Sequence, residues 1–299
     1  MLTEQDMKIL RSIEQVMAIQ LKVKIEDIKK KSGFTDSFIE KKISFYNKIE
    51  LIESQRINDQ YISVRLKFMG YDALGLYELV GKNIIKSIGA PIGIGKESNV
   101  FEAVLDGNEN INCILKFHKL GKTKFKATKR RRDFLAEKKH SSRLYESSLN
   151  AKREVEALKE LAGTIPVPQV FGFNRHIIAM QKIDGLELFK YKLSETEYFE
   201  IYNKIVDYIK LMVNSGIIHG DLSVYNILLR KTDNENKIFI IDWPQYVRID
   251  HKNALDILLN DISNIFSYFS KRTKLEVMDI EKFGTELLKN AKKTLKVGI

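Results

Sequence analysis

The sequence predicts an α+β protein in two parts, an N-terminal winged helix-turn-helix domain and then a compact bilobal domain. Three observations carry this expectation. Near the start, apolar residues recur at helical spacing in three successive segments, and the pattern then changes to a two-residue period. Further on, a glycine-rich turn joins two strand-like segments and is followed by a strand with a single lysine among apolar residues. Last, His219-Gly220-Asp221 is followed by Asn226 and, after the apolar run Ile238-Phe239-Ile240-Ile241, by Asp242.

Residues 1–68 are assigned to the winged helix. Ile9, Leu10, Ile13, Val16 and Met17 place a helix over about Thr3 to Gln20, and Val23 to Lys31 reads as a short second one. Ser32-Gly33 breaks the pattern. Thr35-Asp36-Ser37 offers a cap for a third helix carrying Phe38, Ile39, Ile43 and Tyr46. Gln60 to Leu66 alternates like a strand, with Ile49 to Ile52 as its partner across a polar turn from Ser54 to Asp59. In this plan the third helix enters a groove of duplex nucleic acid. Here it shows a mixed face of Glu40, Lys41, Lys42 and Lys48, so nucleic-acid contact and a protein-docking role are both open. Residues 69–90 read as a packed linker helix, with Tyr71, Leu74, Tyr77 and Leu79 on one side.

Residues 91–184 are expected to form the first lobe. Gly93 and Gly95 open the pattern GxGxxSxV, completed by Ser98 and Val100. Glycines let backbone N–H groups approach phosphate oxygens, so Gly93, Gly95, Lys96, Glu97, Ser98 and Val100 are expected against a nucleotide. Lys116 lies inside the run Cys113 to Phe117, where an ammonium needs a partner. In kinases such a lysine bridges the α- and β-phosphates and a helix glutamate. Glu154 is the first choice for that glutamate and Glu156 the alternative, both on a strongly helical stretch from Ala151 to Leu161. Between them, residues 118–142 hold Lys119, Lys122, Lys124, Lys126, Lys129 and Arg130 to Arg132 with no acid before Asp133. That block reads as a solvated flexible loop or as an arm that touches RNA. Ile165 to Phe173 reads as a turn and then a strand, and His176 to Met180 as another strand that ends at Gln181-Lys182-Ile183-Asp184-Gly185. There Met180 would back an adenine pocket, and Gln181 and Ile183 would meet the adenine edge through their backbones.

Residues 185–299 are expected to form the second lobe, with helices over Leu193 to Ser215, from Ala254, and around Leu275 to Lys289. Its core is the stretch from His219 to Asp242. An acid, an amide five positions on, and a second acid after a buried strand are what phosphoryl transfer requires. Asp221 would accept or orient a hydroxyl proton. Asn226 and Asp242 would hold the metal ions, Mg2+ with Mn2+ as an alternative, that neutralise the phosphates of ATP. His219 reads as a support for the loop, and Ser223 as a residue that positions phosphate or nucleophile. Pro244 removes the glycine hinge found after the metal-binding aspartate of ordinary protein kinases. No Ala-Pro-Glu stretch follows, which leaves little chain for a peptide-binding platform.

The formal net charge of +11 and pI of about 9.4 favour a polyanionic partner. Cys113 is the single cysteine, which excludes an intrachain disulfide and a multi-cysteine zinc site. No basic-then-apolar leader opens the sequence and no apolar run approaches the ~20 residues of a membrane span, so the cytoplasm is the expected location and no membrane partner is expected.

Taken together, Gly70-Tyr71-Asp72-Ala73-Leu74, Gly95-Lys96-Glu97-Ser98, His219-Gly220-Asp221-Leu222-Ser223 with Asn226, and Ile241-Asp242-Trp243-Pro244-Gln245 resemble the RIO-type atypical protein kinases, in their second, winged-helix-bearing subfamily. The resemblance covers nearly the whole chain. It implies a winged helix-turn-helix followed by a protein-kinase-like RIO domain, with Ser98 on phosphate, Lys116 on the α/β-phosphates, Asp221 as catalytic aspartate, and Asn226 and Asp242 as metal ligands. It further implies ATP-dependent autophosphorylation on serine and work on the pre-ribosomal small subunit and its RNA. An ATPase cycle that passes phosphate through Asp242 is also implied. Trp243 stands where phenylalanine is more usual and is expected to keep its packing role. His-Gly-Asp and Ile-Asp-Trp are shared with aminoglycoside and choline kinases. A small-molecule kinase is therefore one competing reading, and a nucleic-acid-binding protein that only senses ATP is another.

Overall fold

Thr3 and Asp6 start the fold with a reciprocal cap. The Asp6 N–H donates to the Thr3 hydroxyl, and the Thr3 N–H donates to the Asp6 carboxylate at 2.7 Å. The structure, a computed structural model, describes residues 2–20, 23–57, 60–119, 139–232, 236–275 and 278–297. They fall into two compact units, Met1–Leu149 with Gly172–Ala179, and Asn150–Phe171 with Met180–Ile299.

The first unit opens with helices α1 (Glu4–Met17), α2 (Ile25–Ser32) and α3 (Asp36–Lys48) and the hairpin β1 (Ile52–Ile57) and β2 (Gln60–Leu66). This is the winged-helix order. Thr35 caps α3 by accepting from the Phe38 N–H, as its position suggests. Residues 54–57, expected in the turn, belong to β1, because the ladder runs from Ile52↔Leu66 to Ile57↔Gln60 with one irregularity between Gln55 and Arg56. The Val64 N–H donates to the Val23 carbonyl at 2.9 Å, which adds an isolated bridge beside the hairpin.

One apolar cluster joins Ile9, Leu10 and Ile13 of α1, Ile28 of α2, Ile39 and Ile43 of α3, and Val64 and Leu66 of β2. Tyr71 and Leu74 of α4 (Phe68–Gly81) sit in the same cluster, so this helix is part of the core and not a tether. Asp6 is 1% exposed and accepts from Lys42 Nζ at 2.6 Å and Tyr46 Oη at 2.8 Å. Burial opposes its charge, but Lys42, the Thr3 backbone and hydroxyl, and Tyr46 overcome that and hold its carboxyl at about 2. A depressed folded value contributes stability above the unfolded value, and that contribution is lost as pH falls from about 3.8 through about 2. Replacing Asp6 with alanine leaves Lys42 and Tyr46 without their acceptor and is expected to cost about 3–5 kcal/mol at pH 7. Urea melts at pH 7 and pH 2 check this, with the gap between variant and wild type narrowing at the lower pH.

The unit continues with β3 (Ile85–Ile94), β4 (Ser98–Leu105), β5 (Asn108–His118), β6 (Val170–Asn174) and β7 (Ile177–Gln181), in the order β3-β4-β5-β7-β6. The stretch 69–90 expected as linker helix therefore ends as helix at Gly81 and enters the sheet at Ile85. Arg175, in the turn between β6 and β7, donates to both Glu14 oxygens at 2.7 and 2.5 Å. The ring of His176 lies 2.7 Å from Asp72 of α4. These bonds tie α1 and α4 to the sheet.

Helix α5 (Lys139–Leu161) begins in the first unit and ends in the second. The second unit adds β8 (Leu186–Glu187), α6 (Glu195–Asn214), β9 (Ile217–Ile218), β10 (Ile227–Lys231), β11 (Asn236–Ile240), β12 (Val247–Arg248), α7 (Ala254–Phe269) and α8 (Ile280–Val297). Its sheets run β11-β10-β8 and β12-β9. The last helix starts five residues later than expected and reaches Val297, since Asp279 accepts from the Lys282 N–H at 3.0 Å and so marks its first turn. The expected loop 118–142 is also narrower. His118 closes β5 and residues 139–142 are already helical, while 120–138 lie outside the described residues. Among the described residues, no helix is long and apolar enough to cross a membrane.

Candidate functional site

In the first unit, the glycine-rich turn joins β3 to β4 in the register Gly93↔Val100 and Ile94↔Asn99. The Gly95 N–H donates to the Ser98 carbonyl at 2.9 Å and closes the turn. Lys96 and Glu97 are exposed, and Ser98 and Val100 are half-buried. Lys116 of β5 pairs with Val100 across the ladder, so the turn and the lysine belong to one rigid piece of sheet. Lys116 is only 7% exposed and is not without a partner, as an ammonium inside an apolar run requires. Lys119 was grouped with the basic loop by its sequence. Its N–H instead donates to the Glu97 carbonyl at 2.7 Å and its ammonium to the Asn99 side chain, so it steadies the glycine-rich turn.

In the second unit, α5 supplies the expected acid. Glu154 is 2% exposed beside buried Val155, Leu158 and Leu161. Glu156 is exposed, lies 3.8 Å from Lys152, and accepts from Tyr246 Oη at 3.4 Å. The buried acid of this helix is therefore Glu154. Two more contacts bind α5 to the chain after Asp242: the Arg153 guanidinium donates to the Tyr246 carbonyl, and Arg248 grips Glu160 at 2.5 and 2.6 Å. Met180 is buried. The Gln181 N–H is committed to the Gln169 carbonyl at 2.8 Å, and the Ile183 carbonyl accepts from Gly185 at 3.0 Å. The Gln181 N–H and the Ile183 carbonyl are thus engaged within the chain.

The catalytic-type loop follows β9, and its shape comes from backbone bonds to buried side chains. Gly220 has φ 85°, and a Cβ there would stand 2.5 Å from the Gln245 carbonyl oxygen. That explains why glycine stands where most protein kinases carry arginine. Gly220→Ala is expected to combine ~1–2 kcal/mol of left-handed backbone strain with a backbone clash. A lowered urea midpoint together with reduced turnover checks it; an unchanged midpoint would refute it.

His219 is fully buried. Its Nδ1 accepts from the Asp221 N–H at 3.3 Å and its Nε2 lies 3.0 Å from the Ile241 carbonyl, an arrangement that suits the neutral tautomer with the proton on Nε2. The ring packs on Trp243 with centroids 4.4 Å apart, and Trp243 Nε1 donates to the Ile240 carbonyl at 3.1 Å. His219 therefore braces the loop, and Trp243 fills the packing role expected of it.

Asp221, Asn226 and Asp242 are brought together. Asn226 Nδ2 donates to the Asp221 carbonyl at 2.8 Å and to its Oδ2 at 3.3 Å, which leaves Asn226 Oδ1 for other partners. Burial pushes the Asp221 carboxyl above its ordinary value, the Asn226 bond pulls it down, and the charge of Asp242 pushes it up. Asp242 holds a left-handed backbone at φ 70°, a conformation that aspartate tolerates better than most residues. Ser223 is half-buried directly before the one-turn helix Val224–Asn226.

Asp261 lies outside every motif named from the sequence. It lies in α7, buried, and accepts from the Gly220 N–H and the Leu222 N–H, both at 2.8 Å. Burial raises its carboxyl to about 6, the two N–H donors hold it down, and Asp221 pushes it up. Asn264 of the same helix donates to the Leu222 carbonyl at 3.2 Å. A signal was present: Leu258, Asp261, Ile262 and Ile265 share one helical stripe, and an acid in an apolar stripe needs a buried partner.

Two carboxylates and an amide oxygen make a partial metal cage. Among the described residues, no group of three or more His, Cys, Asp or Glu gathers as a metal site. Mg2+ suits such an incomplete set, since it binds through one or two carboxylates and completes its shell with phosphate oxygens and water. The raised Asp221 carboxyl beside Asp242 fits the same picture, because a divalent cation would relieve that repulsion.

A model of the RIO domain matches residues 99–283, and a model of the Rio2 N-terminal domain matches residues 1–82. The RIO-type serine/threonine-protein kinase Rio2 of Methanocaldococcus jannaschii is 45% identical over 207 residues, which cover 68% of this chain and 74% of that protein. Serine/threonine-protein kinase RIO2 of Saccharomyces cerevisiae is 30% identical over 295 residues, 95% of this chain and 68% of that one. Among solved structures, the Rio2 kinase-ADP/Mg2+-phosphoaspartate complex from Chaetomium thermophilum matches with a TM-score of 0.82 at 26% identity, over 98% of this chain and 91% of that one.

Proposed function

Since this chain belongs to the RIO family, and within it to the Rio2 serine/threonine protein kinases, we propose that it transfers the γ-phosphate of ATP to serine, its own included, in the maturation of the small ribosomal subunit. The arrangement of Asp221, Asn226 and Asp242 on the frame of His219, Trp243 and Asp261 carries this reading.

Each residue has a physical task. Asp221 accepts or orients the proton of the attacking hydroxyl. Asn226 Oδ1 and the Asp242 carboxylate would hold Mg2+, which would neutralise phosphate charge there. Lys116 pairs with the α/β-phosphates, and the turn from Gly93 to Val100, Ser98 above all, covers them with backbone and hydroxyl donors. Met180, Gln181 and Ile183 receive the adenine, and Ser223 positions the transferred group. The Chaetomium thermophilum relative is described as a phosphoaspartate complex with ADP and Mg2+. By analogy, an Asp242 oxygen bonds the γ-phosphorus as ADP leaves, and water later splits the acyl phosphate.

On this proposal the protein works in the cytoplasm on pre-ribosomal small subunits. Their RNA would be met by the winged helix, which exposes Lys41 and Lys48 on α3, and by the basic stretch 118–142. RNA affinity should then fall steeply with salt, and a flat salt response in filter binding would refute the RNA contact.

The deciding experiment incubates the chain with γ-labelled ATP and Mg2+, with and without small-subunit precursors, beside Asp221→Ala and Asp242→Ala. Label on wild type that is absent from both variants supports the reading, and turnover unchanged in either variant overturns it. Acid-stable label identifies phosphoserine. Label released by hydroxylamine, with steady phosphate release, identifies the aspartyl route.

A further inference from the structure

The second unit carries a cavity of about 610 Å³, and of its lining only Gln181 belongs to the expected nucleotide site. Its apolar wall includes Leu158, Pro166, Val167 and Pro168. Three cations line it as well: Lys159 from the last turn of α5, and Arg230 and Lys237 from β10 and β11. No carboxylate lines it. Its size lies within the ~300–1,000 Å³ typical of ligand sites.

Arg230 and Lys237 are direct cross-strand partners in the β10–β11 ladder. Like charges placed directly opposite one another destabilise an antiparallel pair. Among the described residues, none of the three cations has a carboxylate partner; Lys237 leans 5.5 Å over the Phe239 ring. Among the described residues, the cavity lining thus gathers positive charge around an apolar wall with no carboxylate, where an anionic occupant would gain the most.

We propose that this cavity is a docking site for an acidic peptide segment of a partner protein, with an apolar side chain seated against Leu158 and the proline turn and its carboxylates on Lys159, Arg230 and Lys237. Charge complementarity selects an anion, and the apolar wall selects one that also buries hydrocarbon. A single-stranded nucleic acid would be held by exposed aromatic faces, and the one aromatic ring here, Phe239, is itself buried. The prolines fix the turn Ile165–Pro168 in advance, and the Pro166 carbonyl is tied to the Ile240 N–H at 3.1 Å, so the wall is preformed.

The test pans a phage-displayed library of random dodecapeptides on the full chain. The selected peptides, and a single-stranded oligouridylate, are then measured by fluorescence anisotropy against wild type and R230E/K237E. Selected peptides with net negative charge and an apolar residue should bind R230E/K237E about tenfold or more weakly. Their affinity for wild type should fall with salt. Autophosphorylation should be unchanged in the variant, because neither position touches the site built on Asp221. The single variant R230E places opposite charges across the ladder and should melt no lower than wild type, which secures the reading against misfolding. Selected peptides that are neutral or basic, or acidic ones indifferent to the substitutions, overturn the proposal. Loss of oligouridylate binding alone also overturns it and assigns the cavity to RNA.

Discussion

Asp221→Asn is expected to lower phosphotransfer by about 10²–10⁴-fold, the range for loss of a positioned acid/base group. The substitution keeps the shape of the side chain and an acceptor for Asn226 Nδ2, which lies 3.3 Å from Asp221 Oδ2. Nucleotide binding should therefore survive. Folding should survive as well, and the sign of the carboxyl shift says why. The folded value of Asp221 is raised, first by burial and then by the Asp242 charge. A raised carboxyl contributes stability that is fully present below its unfolded value and lost as pH rises through the folded one. Asparagine removes a charge that burial and Asp242 both oppose, so the variant should melt no lower than wild type. Single-turnover assays with thermal melts at pH 7 check both halves. A variant that is inactive and also melts several degrees lower would refute this account of Asp221.

Asp261→Ala is expected to have an effect of similar size by another route. Asp261 touches no reacting atom and acts as a positioning residue. Its two oxygens accept the N–H groups on either side of Asp221, each at 2.8 Å. Without it two N–H groups near the core lose their acceptor, a cost of about 1–3 kcal/mol each. Gly220 and Leu222 then relax, and Asp221 with them. Turnover is expected to fall about 10²-fold, since small misplacements of reacting groups cost that much. Asp261→Asn keeps one acceptor and should fall between wild type and alanine.

The carboxyl of Asp261 also predicts a pH response. With its folded value near 6, the protonated form gains in the native state between about pH 4 and 6. Stability from this group is greatest below its unfolded value of 3.8 and is lost as pH rises through about 6. Its acceptor capacity runs the other way, since protonation turns one oxygen into a donor facing an N–H. Activity should thus decline as pH falls through about 6, and this step should vanish in Asp261→Asn. An unchanged pH–rate profile in that variant would refute the role.

Much of the fold and most of the candidate site residues were legible because they rest on local rules. Three helical periods, a two-residue period and the Thr35 cap announced the winged helix. The spacing from Asp221 to Asn226 and the apolar run before Asp242 announced the loop and strands that bring those three groups together. Lys116 among apolar neighbours announced its own burial.

What only the tertiary structure decided depends on partners distant in sequence. Glu154 and Glu156 lie on the same helix two residues apart, and packing alone buries the first and leaves the second to Lys152 and Tyr246. Lys119 looks like the first residue of a basic run until the Glu97 carbonyl and Asn99 claim it. The glycine at 220 is unremarkable in sequence and is required by Gln245, whose carbonyl leaves no room for a Cβ. Asp261 shapes the loop from 39–41 positions away. Periodicity and spacing report which chemistry a segment carries. Only the fold sets which buried donor meets which acceptor, because that pairing is fixed by packing between segments and leaves no mark at either one alone.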